Sequence, residues 1–160
     1  MKRPWNIIDV PVYSLATYEE GRVNMNIATY VTPISLKPKQ YAVAVYYNTK
    51  TYHNLFERGE KIAVLQVLHR EQIDLVRSLG KKSGLKFSKL ELLERKDRLT
   101  EWNGLTVLDG ACAYIELMLD GYTDTGGDHR LCWFSVRRFK TIQESGLLTF
   151  SKLVEEGIIL

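Results

Sequence analysis

The chain has only two cysteines, Cys112 and Cys132, among its 160 residues. No CxxC or His-rich spacing surrounds them, and both fall in apolar, strand-like segments. Two buried thiols in a reducing compartment are expected, with no disulfide and no metal site. Long apolar runs are also missing. The longest covers residues 41–47, far short of the ~18 residues that suggest a membrane span. Near the start, Pro4, Asp9 and Pro11 break any leader-like apolar stretch behind Lys2 and Arg3. An excess of one charge is lacking too: 22 basic and 19 acidic residues leave +3. That is too little to argue for nucleic acid and allows only a mild preference for anionic ligands. GxGxxG, GxxxxGKS/T, HExxH and GxSxG are all absent, and His53, His69 and His129 have no metal-ligand spacing. Any phosphate or dinucleotide chemistry must therefore use another kind of site, in a protein expected to be soluble and cytoplasmic.

What is present suffices for a core. With 45% apolar residues, the chain is expected to form a single domain over residues 1–160. A fold of this size buries roughly 70% of its unfolded surface without disulfide or metal support. Residues 24–31 read as a strand ending at Thr32-Pro33. Residues 41–47 (Tyr-Ala-Val-Ala-Val-Tyr-Tyr) are β-rich and apolar on both faces, as in a barrel wall. The turn Asn48-Thr49-Lys50-Thr51 leads into a short helix over 52–57, stopped by Gly59. A strand over 62–68 follows. Over 71–79, Ile73, Val76 and Leu79 lie at helical spacing, with Gly80 as the stop. Residues 105–108 and 111–119 are expected to pair across Asp109-Gly110, with Ala111, Ala113, Ile115, Leu117 and Leu119 on one face. Asp120-Gly121 and Gly126-Gly127 bound a loop before a strand over 129–139. A helical turn over 151–156 and the apolar tail Ile158-Ile159-Leu160 complete the pattern. Short helices scattered among strands disfavour a doubly wound parallel sheet and favour a closed antiparallel barrel.

Three loops could carry chemistry. In Asn48-Thr49-Lys50-Thr51-Tyr52-His53-Asn54, hydroxyls, amides and a lysine meet a helix N-terminus, which favours an anion. The same residues serve equally as a simple helix cap with Lys50 in solvent. Lys81-Lys82-Ser83-Gly84 follows a helix C-terminus, where lysines are expected for stability alone. Converging with the first loop, it could grip one phosphate beside an apolar wall suited to a flat ring. Gly126-Gly127-Asp128-His129 sets a carboxylate beside an imidazole at a strand mouth, though a glycine-rich turn needs no function. Nine tyrosines could stack nucleobases on an open barrel face or simply fill walls and interfaces.

The order of these segments resembles the flavin reductase-like, split-barrel family. Asn26-Ile27-Ala28-Thr29-Tyr30-Val31-Thr32-Pro33-Ile34-Ser35 looks like its opening strand. Residues 43–54, with Lys50, Thr51 and Asn54, resemble its phosphate loop. Residues 79–84 with Phe87-Ser88-Lys89 resemble its second loop, and Gly127-Asp128-His129 followed by residues 131–136 matches its Gly-Asp-His strand. The resemblance implies a mainly β fold, a six-stranded antiparallel split β-barrel with short helices, dimeric and binding FMN near the subunit interface. It places Ala28, Thr29, Tyr30 and Thr32 along the flavin ring. Asn48, Thr49, Lys50, Thr51 and Asn54, helped by Lys82 and Ser83, would hold the ribityl chain and phosphate. His129 would be the catalytic residue, where NAD(P)H meets the ring. Ser88 departs from the family, in which an acidic residue commonly precedes the lysine, so the role of Lys89 is left open.

The implied activity is transfer of a hydride from NAD(P)H to FMN in a homodimer, serving a flavin-dependent monooxygenase or another electron acceptor. Alternatives are an FMN-binding electron-transfer protein without reductase activity and, from another class, a barrel that binds single-stranded nucleic acid. The small net charge leans against the latter, so the expected partners include neither nucleic acid nor membrane.

Overall fold

Where polar turns separate β-branched and apolar runs, the chain folds back on itself repeatedly, and all strand pairings are antiparallel. In this computed structural model residues 1–159 are described; Leu160, the end of the expected apolar tail, lies outside the described residues. The strands are β1 (Tyr13–Glu19), β2 (Arg22–Met25), β3 (Val31–Leu36), β4 (Lys39–Tyr46), β5 (Ile62–Val67), β6 (Leu99–Trp102), β7 (Leu105–Leu108), β8 (Ala113–Asp124) and β9 (His129–Thr141). Seven form one sheet in the order β2-β1-β5-β8-β9-β4-β3, while β6 and β7 form a separate hairpin.

The two ends of the large sheet are joined by residues 26–30. Ala28 exchanges both backbone hydrogen bonds with Tyr13 of β1, at 2.8 and 2.9 Å. Two residues later the Tyr30 carbonyl accepts from the Ala44 N–H of β4 at 3.0 Å. β2, this segment and β3 thus make one interrupted rib that closes the barrel between β1 and β4. The expected strand over 24–31 is corrected accordingly: β2 stops at Met25, and β3 begins at Val31 where the strand was to end. The interruption starts at Asn26, whose side-chain Oδ1 accepts the Leu15 N–H at 3.1 Å in place of a backbone carbonyl. Counted as one rib, β2 and β3 give the six expected; counted separately, the sheet has seven strands.

Other expectations shift for local reasons. Residues 105–108 pair with β6 and not with β8. The turn that captures them is Asn103-Gly104, with φ of 50° and 77°, the left-handed pair that a tight hairpin turn requires. Asp120-Gly121 is no loop: β8 runs through it with a bulge, Leu119 opposing Phe134 and Gly121 opposing Trp133. Glycine is required there, since a Cβ would lie 2.3 Å from the Trp133 ring. The first helix, α1 (Lys50–His53), starts earlier than expected and widens into a π-helical turn over Asn54–Arg58 before Gly59. The segment 71–79 divides into a short 3-10 turn, Arg70–Gln72, and α2 (Leu75–Gly80), so Gly80 belongs to the helix it was to end. Helix α3 (Lys89–Arg95) was not expected; Ser88 caps it by accepting the Glu91 N–H at 3.3 Å. α4 (Phe150–Glu155) matches the helical turn read over 151–156 within one residue.

Two cores result. Inside the barrel, Leu15, Val43, Val45, Leu65, Leu117 and Phe134 pack together. On the outer face of β1 and β5, a second core gathers Leu75, Leu79, Leu93, Leu108, Leu148 and Leu153, fixing α2, α3 and the β6–β7 hairpin to the wall. Ile115, Leu117 and Leu119 share the inner face as expected, whereas Ala111 belongs to the outer core. Both cysteines are free and buried, and burial pushes the Cys132 thiol up to about 12, which makes it unreactive. Phe134 is fully buried at the barrel centre. Its replacement by Ala is expected to cost about 3–5 kcal/mol in guanidinium unfolding; an unchanged midpoint would show that the interior collapses around the gap.

Candidate functional site

Because residues 26–30 leave the ladder, a cavity of about 350 Å³ opens between them and β4. Its floor is apolar, formed by Leu15, Val43 and Val45. Hydrophilic segments close its other end: the turn at 48–51 and the loop at 79–84. Since Ala28 spends its N–H and C=O on Tyr13, the alternation along an extended chain turns those of Ile27 and Thr29 away from β1.

The two hydrophilic loops meet at a close approach. A Cβ on Gly84 would lie 2.3 Å from Asn24 Oδ1 and 2.9 Å from Lys50 Cβ, so a side chain there would push the second loop off the first. In the first loop, the Thr49 hydroxyl accepts the Tyr52 N–H at 3.1 Å and donates to the Tyr46 carbonyl at 2.7 Å. Thr49 is therefore a helix cap. Thr51 is fully buried, and its hydroxyl accepts from Asn24 Nδ2 at 3.4 Å. The Lys50 ammonium is paired with Glu19, which also takes His53 Nε2 at 3.4 Å. That partner was invisible in the sequence pattern, and it neutralises the lysine expected to face a phosphate. In the second loop Lys82 and Ser83 are exposed, with Lys82 Nζ 4.5 Å from the centre of the Phe87 ring.

Lys89 supplies the cation that sequence reasoning left open. It lines the cavity yet is only 6% exposed. Its Nζ donates to the Leu79 carbonyl at 2.6 Å, at the C-terminal end of α2. Among the described residues no carboxylate pairs with it. Burial holds its ammonium down at about 8. An unpaired buried charge is costly, and an anion in the cavity would relieve that cost.

At the rim, His129 sits between Tyr30 and Tyr46, with ring centres 5.4 and 5.3 Å away. Its Nδ1 is 2.6 Å from Asp128 Oδ1, and this hydrogen bond holds the Asp128 carboxyl below the usual range. The neighbouring Arg130 anchors the hairpin that carries them. Its guanidinium lies 4.0 Å from the Tyr122 ring centre and 4.7 Å from that of Phe56, and it donates twice to Asp124, at 2.7 and 3.0 Å.

Of the site residues expected from sequence, Ala28, Thr29, Tyr30, Asn48, Thr49, Lys50, Thr51, Lys82, Ser83 and His129 all line this one cavity. Thr32 and Asn54 do not. By Thr32 the rib has rejoined β4, opposite Ala42, and its side chain is exposed. Asn54 lies one turn further along the helix and is buried, donating to Thr17 Oγ1 at 3.2 Å. Asn24 and Tyr46 are lining residues that the sequence does not assign to the site, and Lys89, whose role it leaves open, lines it as well. The described residues hold no helix long and apolar enough to cross a membrane, and no cluster fit to hold a metal ion.

Comparison with known proteins agrees with this geometry. The profile described as "Flavin reductase like domain" matches residues 6–154. No curated protein sequence matches. Similar solved structures include the flavin reductase of styrene monooxygenase from Pseudomonas putida (20% identity, 91% of this chain and 88% of that one, TM-score 0.74). Another is an FMN-binding protein from Thermus thermophilus (23%, 88% and 75%, 0.74). A third is the NADH:FAD oxidoreductase of Streptomyces globisporus, solved with NAD and FAD fragments (18%, 92% and 84%, 0.74). At these identities the structures speak for the fold.

The buried ammonium makes a pH prediction. The folded chain releases the Lys89 proton near pH 8, the unfolded chain near the ordinary value of 10.5. Within that window only the unfolded state holds the proton, so stability rises with pH; below it both states hold the proton and the dependence vanishes. The rise is expected to be on the order of 3 kcal/mol, and Lys89→Met should abolish it. Urea unfolding of both proteins across this range is the check, and equal slopes would refute the assignment.

Proposed function

The chain belongs to the flavin reductase-like domain family, and from that premise we propose that it is an NAD(P)H:flavin reductase whose cavity takes FMN. The observation that carries this reading is the meeting of two separated hydrophilic loops, 48–51 and 81–84, at one end of an apolar-floored cavity. Its residues fit the group. The apolar floor suits a flat ring, the rim is aromatic, and a buried cation without a counter-ion waits at the polar end. When bound, the flavin supplies the ring that accepts a hydride.

The chain's own residues bind and position. The backbone of Ile27 and Thr29 offers polar groups along the edge of the ring, with Ala28 between them tied to Tyr13 and Tyr30 closing the rim. Asn48, Thr49, Lys82, Ser83 and Lys89 surround the ribityl chain and phosphate, while Lys50 contributes through its pair with Glu19. His129, the proposed catalytic residue, takes the nicotinamide against its ring. Asp128, by accepting the Nδ1–H, fixes the orientation and tautomer of that imidazole. Holding the two reactants in register is the main contribution, since hydride transfer requires no acid or base. The unit is proposed to be a cytoplasmic homodimer, for which Ile34, Leu36 and Phe139 are exposed apolar side chains at hand. Its electron acceptor would be a flavin-dependent monooxygenase component or a similar protein, without nucleic acid or membrane as partner.

The test is oxidation of NADH and NADPH by the purified protein with added FMN. Flavin binding without oxidation would make the chain an electron carrier; no flavin binding would end the proposal. His129→Ala is expected to slow oxidation roughly ten- to hundredfold while leaving FMN affinity nearly unchanged, as read by flavin fluorescence; equal losses in both would count against its role. Lys50→Ala should weaken FMN binding roughly tenfold, because it leaves the Glu19 carboxylate unpaired beside the anion. Adding Glu19→Gln should restore most of that loss, and a double variant as weak as the single one would show that Lys50 acts directly.

A further inference from the structure

The hairpin that carries His129 reaches past the barrel, and residues 122–128 at its tip are all exposed. Its ladder ends at two pairs, Asp124 of β8 opposite Arg130 and Tyr46 of β4 opposite His129. Side chains alternate along a strand, so His129 turns to the cavity rim and Arg130 to the opposite face. There Arg130 meets a row of aromatic rings. Tyr47, Tyr52, Phe56 and Tyr122 follow one another at ring-centre separations of 5.4, 4.9 and 5.1 Å. The Arg130 guanidinium lies between 4.0 and 5.8 Å from all four ring centres.

These rings belong to different elements. Tyr47 follows β4, Tyr52 lies in α1, Phe56 in the π-helical turn and Tyr122 in β8. A single side chain therefore ties the hairpin to the helix that begins at the 48–51 turn. Asp124 completes the tie: it accepts two bonds from Arg130, at 2.7 and 3.0 Å, and one from the Tyr47 hydroxyl at 2.6 Å. Chiefly through the Arg130 bonds, its carboxyl is held below the usual range. Tyr47 also donates its N–H to the Asp128 carbonyl at 3.3 Å, next to His129. Exposed ion pairs contribute little as a rule. This one is bidentate, and the arginine side chain is only 13% exposed, so the guanidinium is held along its edge by Asp124 and across its faces by the rings. Arg130 is not among the lining residues of the flavin cavity; it borders a separate hollow with Phe56, Leu119 and Tyr122.

Resting on the reductase reading above, we propose that Arg130 is a positioning residue for the hydride transfer. It locks the His129 hairpin to α1 and so fixes the imidazole relative to the loop that grips the flavin phosphate. Reactants held about 1 Å out of register can lose roughly a hundredfold in rate. Arg130 touches neither reactant and keeps its proton throughout.

Steady-state oxidation of NADH and NADPH by the full chain with added FMN tests this, in Arg130→Met and Asp124→Asn, each alone and combined with His129→Ala. Arg130→Met is expected to lower kcat roughly tenfold or more while FMN affinity, read by flavin fluorescence, stays within about twofold. Asp124→Asn, at a half-exposed side chain, should lose rate in the same direction but less; should Arg130→Met unfold, this variant decides alone. Combined with His129→Ala, either substitution should cost at most about twofold further, because both act through the same imidazole. An undiminished kcat in the folded single variants, a loss of FMN affinity as large as that of kcat, or the same loss with and without His129 would overturn the proposal and leave the flavin cavity standing. His129→Ala without effect, or no oxidation by the parent, would overturn the earlier reading and this one with it.

Discussion

Everything at this site depends on one hydrogen bond made by a side chain where a backbone group would ordinarily serve. Asn26 uses its amide oxygen to accept the Leu15 N–H, and from there the rib no longer follows the ladder on both sides. β1 keeps its contact with the segment through Ala28, and β4 regains it only at Tyr30. The gap between those two attachments is the mouth of the cavity. Were the rib continuous, β1 and β4 would be bridged by regular pairing and the barrel wall would close. The barrel core pays no visible penalty, since Leu15, Val43 and Val45 remain buried beneath the gap.

Charge is distributed around this opening in an unequal way. Lys50, the cation most evident in the sequence, is tied to Glu19 and its helix turn. Lys89, whose role the sequence leaves open, is the buried one, with a single carbonyl as partner. The buried lysine keeps one hydrogen bond, its nitrogen capping the last turn of α2 at the Leu79 carbonyl. The consequence is a fixed positive charge in a poorly solvated wall, where an anion is held more strongly than by the exposed Lys82. The serine in place of the acidic residue at position 88 is consistent with this arrangement. Ser88 is occupied with capping α3, and it leaves Lys89 without a carboxylate beside it.

How much of this could be read in advance follows from the range of each signal. The wall strand over 41–47 and the strand over 129–139 were legible because local periodicity and composition specify them. The polar loops were legible as loops, and the family resemblance arranged them around one ligand. The hairpin was misassigned because Asp109-Gly110 and Asn103-Gly104 both carry turn chemistry, and only tertiary context decides which of them joins paired strands. Helix α3 was missed although Ser88 with Glu91 at the third position is a start signal, outweighed by the loop-like Lys-Ser-Gly run before it. The Glu19–Lys50 pair, 31 residues apart in sequence, and the burial of Lys89 leave no local trace. They depend on how β1, α1 and α3 pack.

The same distinction explains why glycines at contact points shape the site more than its polar side chains do. Exposed lysines and hydroxyls at the cavity rim, such as Lys82 and Ser83, can be exchanged or displaced with modest loss, because each contributes through a screened interaction. Gly84 has no such latitude: its α-carbon lies where any larger residue would strike Asn24 and Lys50. Through that contact the second loop, held from behind by α2 and α3 in the outer core, is pressed against the first, held by α1 on the barrel. Gly121 does the same for the opposite wall, letting Trp133 lie flat on β8 and so fixing the hairpin that presents Asp128 and His129. The cavity is thus shaped by backbone approach between separately anchored elements, and the polar groups that line it inherit their positions from those contacts.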